Sequence, residues 1–190
     1  IYANRLGLPR HQAEFLCLDY RDIPDDQYDA VTCIGQHELL NVHQLPLFLS
    51  HAYRLLKNDG ILLLQVETIR AAWQLEDISW NLFVDKYVTT DAEAHLPLGR
   101  YLKMLEQTGF EIVCIENLSL HAAATHELWF DNWKDNESAV VAMHGKRCWR
   151  IWAAYLVWTS ITLRQGTVGH YQIVAHKNIN AFDRTAVIAR

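Results

Sequence analysis

Polar and small residues follow two apolar runs near the start of this 190-residue chain. Asp19 and Tyr20 come directly after the run AEFLCL, and residues 35–38 (GQHE) come directly after DAVTCI. In an open parallel sheet, ligands bind beyond the carboxyl ends of the strands, so these two groups of residues are expected to border one crevice. Any chemistry that this part of the chain performs is expected there.

Other reactive residue types do not form a recognised catalytic pattern. His37 and Glu38 begin like a zinc-protease motif, but Asn41 stands where that motif has its second histidine. His121 and His126 have no evident third ligand, so the sequence does not predict a metal site. The formal net charge is −5, and the scattered Lys and Arg residues form no basic stripe. Nucleic acid is therefore excluded as a predicted ligand.

The four cysteines indicate a reducing, intracellular environment. They show no CxxC spacing, and three of them lie in apolar, strand-like runs, which is typical of buried free thiols. The most apolar helical stretch, residues 151–163, is shorter than the roughly 20 residues that a membrane span requires.

Hydrophobic patterning predicts a mixed α/β domain built on a parallel sheet. A helix is expected at residues 43–56, an aromatic, amphipathic insertion at 69–88, and a further helix that contains Leu98 and ends at Gly109. Two long helical patterns follow Leu118. The predicted strands are residues 13–18, 28–34, 61–66, 111–118 and 166–178.

The first residues predict that a longer domain begins upstream. IYANRLGLP reads as the end of a helix closed by Gly7 and Pro9. We therefore expect residues 1–190 to be the C-terminal part of a single, N-terminally truncated domain. Without the strands expected upstream, the edge of a buried strand would be exposed in the isolated chain.

Several segments in fixed order resemble the cyclopropane fatty acid synthase family of S-adenosylmethionine-dependent methyltransferases. They include LDYRDIP, YDAVTCIG, YRLLKNDGILLLQ, AAWQLED, NWKDNE, GKRCWRIWAAYL, RQG and HKN. Within that family they are most similar to the fungal sphingolipid carbon-9 methyltransferases. The resemblance runs from about Leu6 to Asn180 and implies a class I, Rossmann-like, doubly wound sheet with helical insertions.

The resemblance also implies a cofactor and a substrate class. The cofactor would be S-adenosyl-L-methionine, and the substrate an unsaturated lipid, with a sphingolipid base favoured. The upstream part would carry the glycine-rich loop for the methionine end of the cofactor, and it would be the source of any membrane association. The oligomeric state does not follow from the sequence.

Four residues match cofactor-binding positions of the family. Asp19 and Tyr20 match an acidic and aromatic pair, in which the ring can stack on adenine and the carboxylate can bond its amine. The alternative for this pair is a polar loop cap. Ile34 and Gly35 match the turn along the methionine portion of the cofactor, where a small residue permits close approach.

Two residues match the methyl-transfer centre. Glu38 matches a family glutamate that helps to hold a bicarbonate ion or an equivalent base, and Gln65 stands where bacterial relatives have a histidine. A base is needed because methylation of an alkene leaves a carbocation, which must lose a proton. The alternative for Glu38 is that it caps a loop or the next helix.

Some positions depart from the family pattern. Leu39 replaces a usual histidine, Ala122 replaces a usual tyrosine, and residues 86–97 lack a Phe-Pro-Gly run. These differences leave a second function open. The chain could belong to a relative that keeps the fold but methylates a polar metabolite, catalyses a different reaction, or has lost catalysis.

Three further side chains have two interpretations each. Glu67 adds a carboxylate where the family is usually apolar or small, and it either serves a new function or points to solvent. Trp73 and Trp80 lie on the insertion, where they either pack in the core or line a lipid tunnel.

Overall fold

A computed structural model describes residues 14–35, 42–72, 74–88, 96–181 and 183–185. A short 3-10 helix at Tyr20–Asp22 precedes the main elements. These are, in order, β1 (Tyr28–Ile34), α1 (Leu45–Leu55), β2 (Leu56–Ile69), α2 (Leu75–Tyr87), α3 (Leu98–Thr108), β3 (Phe110–Asn117), α4 (Ser119–Asp135), α5 (Glu137–Gln165) and β4 (Val168–Lys177). The helices and the strands after residue 27 thus follow the predicted order.

The described strands form one sheet in the order β1, β2, β4, β3. β1 and β2 are parallel, while β4 is antiparallel to both β2 and β3. β3 therefore runs in the same direction as β1 and β2. The carboxyl ends of these three strands and the start of β4 lie at one edge of the sheet.

The ladder between β1 and β2 contains an irregularity at its beginning. Tyr28 pairs with Leu56, but Ala30 already pairs with Ile61, and the regular register from there ends with Ile34 beside Gln65. Gly60 lies in this irregular stretch, where an added Cβ would be 2.9 Å from a Leu56 methyl carbon. The segment KNDG, residues 57–60, is part of β2.

Most of the core lies on one face of the sheet. Leu62, Leu64 and Val66 of β2 are fully buried there against side chains of α1 and α3, including Leu49 and Leu105. Alternation along the strand places Leu63, Gln65 and Glu67 on the opposite face, where they are half-buried. The two faces of β2 thus have different chemical character.

The helices that follow β3 build a second, smaller core with α2. Trp80 and Val84 of α2 pack against Ala123 of α4, Leu163 of α5 and Val168 of β4. Trp80 is almost completely buried in this cluster, so core packing is its correct interpretation, whereas Trp73 lies outside the described residues.

The prediction of a strand at residues 13–18 is wrong for residues 14–18, the part of this segment that the structure describes. Glu14 to Leu18 adopt no regular structure, and the Phe15 side chain is 80% exposed. A strand forms only when another strand accepts its hydrogen bonds, and β1 ends the described sheet on this side. An apolar run alone could not supply that partner.

The expected burial of the cysteines is confirmed only in part. Cys33 is buried, Cys148 is half-buried, and Cys17 and Cys114 are exposed, all of them as free thiols. Among the described residues, none of the helices has the length and apolarity to cross a bilayer.

Candidate active site

The structure brings Ile34 and Gln65 together at the carboxyl ends of β1 and β2. They are direct partners in the parallel ladder, which places their backbones about 5 Å apart. The Ile34 side chain is 61% exposed. A predicted cofactor residue and a predicted catalytic residue therefore lie side by side on adjacent strands.

Gly35 continues from β1 with a backbone that favours glycine. Its φ is +68°, and an added Cβ would meet nothing within 4 Å among the described atoms. Conformation, rather than crowding, thus explains the glycine. The close approach of a ligand at Gly35 stays a prediction.

Asp19 caps the 3-10 helix that begins at Tyr20. Its carboxylate accepts a hydrogen bond from the Arg21 backbone N–H at 2.9 Å and two from the Arg21 guanidinium at 2.8 Å. The guanidinium holds the pKa of the Asp19 carboxyl well below its usual range. In this structure the carboxylate therefore serves as a loop cap, and adenine could bond to it only by sharing or displacing Arg21.

Tyr20 is half-buried against α1. Its ring meets Phe48 edge-on with centroids 5.4 Å apart, and His51 lies 6.0 Å away. The Arg21 guanidinium lies 5.8 Å from the ring centroid. The aromatic ring is therefore fixed by packing, while Arg21 competes for the surface on which a base would stack.

Gln65 contacts a residue that sequence reasoning missed. Its Nε2 lies 2.5 Å from Nε2 of His170 on β4. Nδ1 of the same imidazole lies 3.8 Å from Oε1 of Glu67, which is the direct ladder partner of His170. We call Gln65, His170 and Glu67 the polar row. Glu67 thus faces a partner across the strands rather than solvent alone.

Two helices add polar groups around the polar row. Tyr155 of α5 has its pKa raised to about 12, because it is buried and because it faces the negative charge of Glu67. His126 of α4 is buried 6.1 Å from the Tyr155 ring, and its Nδ1 lies 2.8 Å from the Ala122 carbonyl oxygen. His126 therefore has a structural partner within its own helix.

Burial and charge act against each other at His170. Burial lowers the pKa of the imidazole, and the neighbouring His126 lowers it further, whereas Glu67 raises it. The net effect is a pKa below the usual value for histidine, so the side chain is neutral at pH 7. Its backbone N–H donates to Ser119 Oγ at 3.0 Å, which fixes this part of β4.

Other predicted positions are not tested by the structure. Glu38 and Leu39 lie outside the described residues, as does most of the segment after Tyr87. Ala122 is half-buried against the smaller core. Among the described residues, no three His, Cys, Asp or Glu side chains are arranged to hold a metal ion.

A cavity of about 760 Å³ lies where β2 ends and β4 begins. Thr68 and Tyr171 line it from one face of the sheet, and Ile69 and Val168 line it from the face that carries the polar row. At its rim, Arg70 forms an ion pair with the buried Asp77. The lining of the cavity does not include Ile34 or Gln65, and no sequence pattern indicated this cavity.

The sequence profile of the mycolic acid cyclopropane synthetase family matches residues 4–173. The chain belongs to this family. It is 38% identical over 98% of its length to sphingolipid C9-methyltransferase B of Emericella nidulans, and 40% identical over 95% to sphingolipid C9-methyltransferase 1 of Gibberella zeae. It spans 36% of the length of each of these two curated relatives.

Solved structures of this family share the fold. The cyclopropane synthase MmaA2 from Mycobacterium tuberculosis superposes with a TM-score of 0.78 at 19% identity, covering 85% of the chain and 59% of that protein. Mycolic acid cyclopropane synthase CmaA1, solved with SAH and CTAB, gives 0.76 at 21% identity, covering 92% and 66%. The predicted class I methyltransferase fold is therefore confirmed.

Proposed function

We propose that this chain is part of an S-adenosylmethionine-dependent carbon methyltransferase that acts on an unsaturated lipid, a sphingolipid base being the favoured substrate. The observation that carries the proposal is the match of nearly the whole chain to enzymes named sphingolipid C9-methyltransferases. The pairing of Ile34 with Gln65 at the expected edge of the sheet supports it further.

The residues present suit part of a cofactor site. Gly35, with its positive φ, and the exposed Ile34 side chain would border the methionine portion. Asp19 and Tyr20 would bind the adenosine portion once Arg21 is displaced. When bound, S-adenosylmethionine supplies an electrophilic methyl group on a sulfonium sulfur.

Glu38 and Gln65 would lie at the methyl-transfer centre. Attack by the alkene on the methyl group would leave a carbocation on the substrate, and a nearby base would then remove a proton. Gln65 is neutral and cannot serve as that base, so its amide would position neighbouring groups. By family resemblance, Glu38 would hold the base, with bicarbonate as one form of it.

Membrane association of the whole protein would follow from its lipid substrate. We propose that parts of the protein beyond this chain provide the membrane contact.

Cofactor binding is tested by calorimetry of the full-length protein with S-adenosylhomocysteine. We expect saturable binding that is weakened by Tyr20→Ala, because stacking on the ring is lost. Tyr87→Ala, which removes an exposed ring at the end of α2, is the matched control and should leave the affinity unchanged. Absence of binding at high micromolar concentration would overturn the cofactor assignment.

The substrate class is tested by mass spectrometry of lipids. The full-length protein is expressed in a host that makes unsaturated sphingoid bases without methylating them. We expect sphingolipids that are heavier by one CH2 group. Cofactor binding without any heavier lipid would favour a relative that methylates a polar metabolite or catalyses a different reaction.

A further inference from the structure

The cavity of about 760 Å³ lies at the edge of the sheet that carries the carboxyl ends of β1 and β2. Ile69, the last residue of β2, and Val168, the first residue of β4, both line it. Its volume is within the range of about 300 to 1,000 Å³ that is usual for small-molecule sites. The cavity is therefore large enough to hold part of a lipid at this edge.

The cavity lies beyond the expected methyl-transfer position along β2. Gln65 is the ladder partner of Ile34, the last residue of β1, whereas β2 continues for four more residues to Ile69. Four residues of a strand extend about 13 Å, so a substrate that reacts beside Ile34 would reach the cavity with atoms about that far from the reacting carbon.

The polar head of a sphingoid base lies at a comparable distance from the carbon that is methylated in the named relatives. The head carries its oxygen and nitrogen atoms on the first three carbons, and the names of the curated relatives give C9 as the methylated position. An extended carbon chain advances about 1.25 Å per bond, so the first carbon lies about 10 Å from the ninth. A substituent on the first carbon lies farther still, within the span that separates Ile34 from the cavity.

The described lining of the cavity carries hydrogen-bonding groups and positive charge but no carboxylate. Its charged side chains are those of Arg70 and Arg164, and apolar residues such as Leu98 and Leu163 lie between its polar ones. A head that bears hydroxyl groups at the end of an apolar chain suits such a mixed lining. The neutral polar residues of the lining are Thr68, Asn117, Ser119, His121, Gln165 and Tyr171.

Carboxylates outside the described lining orient both arginines. Nε and Nη2 of Arg70 donate to Asp77, and Nε and Nη2 of Arg164 donate to Glu127. These bonds use one edge of each guanidinium and leave the Nη1 group on the other edge as a donor. The arginines therefore need little reorganisation to donate to an oxygen atom in the cavity.

The first turn of α4 supplies backbone donors, and Gln165 supplies an acceptor. The N–H groups of Leu120 and His121 precede the first hydrogen bond of the helix, which Ala122 donates, so they have no acceptor within it. The Gln165 amide donates to Thr167 Oγ1, and its Oε1 is an acceptor. Because a hydroxyl group both donates and accepts, this set of groups is complementary to a polyhydroxylated head.

We propose that the cavity binds the hydroxyl-bearing head of the sphingoid lipid and thereby fixes which carbon of the chain lies beside the transferring methyl group, an inference that rests on the proposed function. Arg164, Gln165 and the first turn of α4 bind the head. The chain then extends along the edge of the sheet toward Ile34. The distance between the cavity and Ile34 selects the double bond that reacts.

The first test compares two substrates with the full-length wild-type protein. One is a sphingolipid whose double bond includes the ninth carbon, and the other has its double bond four carbons farther from the head. That change displaces the reacting carbon by about 5 Å, so we expect the rate of methylation to fall by more than about tenfold. A smaller fall overturns the role of the cavity in selecting the double bond.

Two variants test the cavity itself. Arg164→Gln removes a charged donor, and Gly99→Phe adds a ring to the lining at a position where a new Cβ meets no described atom within 4 Å. We expect kcat/KM for the first substrate to fall by more than about threefold in each, while the affinity for S-adenosylhomocysteine is unchanged. The preference for the first substrate over the second should also narrow, which a purely structural defect would not cause.

Matched controls place the same changes outside the described lining. Arg150→Gln alters an exposed arginine on α5, and Gln107→Phe adds a ring at an exposed position on α3. Both controls should retain the kcat/KM and the substrate preference of the wild type. Because the two test variants lie on different helices, the result stands if one of them fails to fold.

The outcomes separate the two proposals. A wild-type protein that methylates neither lipid contradicts the proposed function itself. A wild-type protein that methylates the first substrate overturns the assignment of the cavity alone if the folded variants stay within about threefold of its kcat/KM, or if they leave its substrate preference unchanged.

Discussion

Asp77→Asn is expected to destabilise the protein strongly, because Asp77 accepts several hydrogen bonds while only 2% of its side chain is exposed. The Arg70 guanidinium donates to it at 2.6 and 2.8 Å, and the Gln74 backbone N–H donates at 2.7 Å. The asparagine keeps one oxygen, enough for the Gln74 contact. Arg70 Nη2 loses its acceptor because an NH2 group replaces Oδ1, and the Arg70 Nε bond, which shares the remaining oxygen with Gln74, loses its charge assistance.

The magnitude follows from these contacts. Hydrogen bonds to charged groups contribute about 1.5 to 3 kcal/mol each, and Arg70 recovers part of this from water because it remains partly exposed. We therefore expect a loss of about 3 kcal/mol in the free energy of unfolding, at the lower end of the range for breaking a buried pair. Denaturant unfolding of the full-length protein measures it.

The control is the same substitution in an exposed ion pair. Asp131, 62% exposed, lies 3.3 Å from Lys134, and Asp131→Asn should cost less than about 0.5 kcal/mol. A cost for Asp77→Asn no larger than that of the control would refute the reasoning.

The effect should also depend on pH. The pKa of Asp77 is lowered in the folded protein, chiefly by Arg70, so its contribution is present above the unfolded value of about 3.8. That contribution is lost as pH falls through the lower, folded pKa. The difference in stability between the wild type and Asp77→Asn should therefore shrink in acid and stay constant from pH 5 to pH 7.

Further predictions concern the cofactor loop, a helix end and the sheet edge. Arg21→Ala should tighten S-adenosylhomocysteine binding about two- to fivefold, since Arg21 no longer competes for Asp19. Weaker binding in calorimetry, with Arg100→Ala as the neutral control, would contradict this. Gly109→Ala should cost about 1 to 3 kcal/mol in denaturant unfolding, because φ is +102° and the new Cβ would lie 3.2 Å from the Tyr53 ring; unchanged stability would exclude strain there. The 190-residue chain expressed alone should aggregate through the edge of β1, which has no partner strand among the described residues, and light scattering of a stable monomer would disprove that.

Much of the fold was predictable because its signals are local. Alternating or continuous apolar residues located β1 and β4, and Gly109 marked the end of α3. The prediction of a strand at residues 13–18 was wrong for the described part, because apolar character belongs to the segment itself, whereas a strand also requires a neighbouring strand to pair with. Family resemblance added the sheet class, which the structure confirms.

The candidate site was predictable only in part. The sequence placed Ile34 and Gln65 near the ends of two predicted parallel strands, but their pairing in the ladder follows only from the structure. His170 was missed, since its meeting with Gln65 and Glu67 depends on a register between strands more than 100 residues apart. The sequence marked Glu67 as an unusual carboxylate, but it did not indicate that His170 lies opposite it. The predicted roles of all six site residues remain predictions: Asp19, Tyr20, Ile34, Gly35, Glu38 and Gln65.

The irregular start of the β1–β2 ladder divides the strand into two regions with different tolerance for changes in length. Four residues of β2 between Leu56 and Ile61 have no regular partner in β1. An extra residue inserted there would therefore leave the regular register from Ile61 onward unchanged. An insertion between Ile61 and Gln65 would instead turn Gln65 and Glu67 to the opposite face, away from His170. Insertions and deletions among homologous chains should therefore occur between Leu56 and Ile61 and be absent between Ile61 and Gln65.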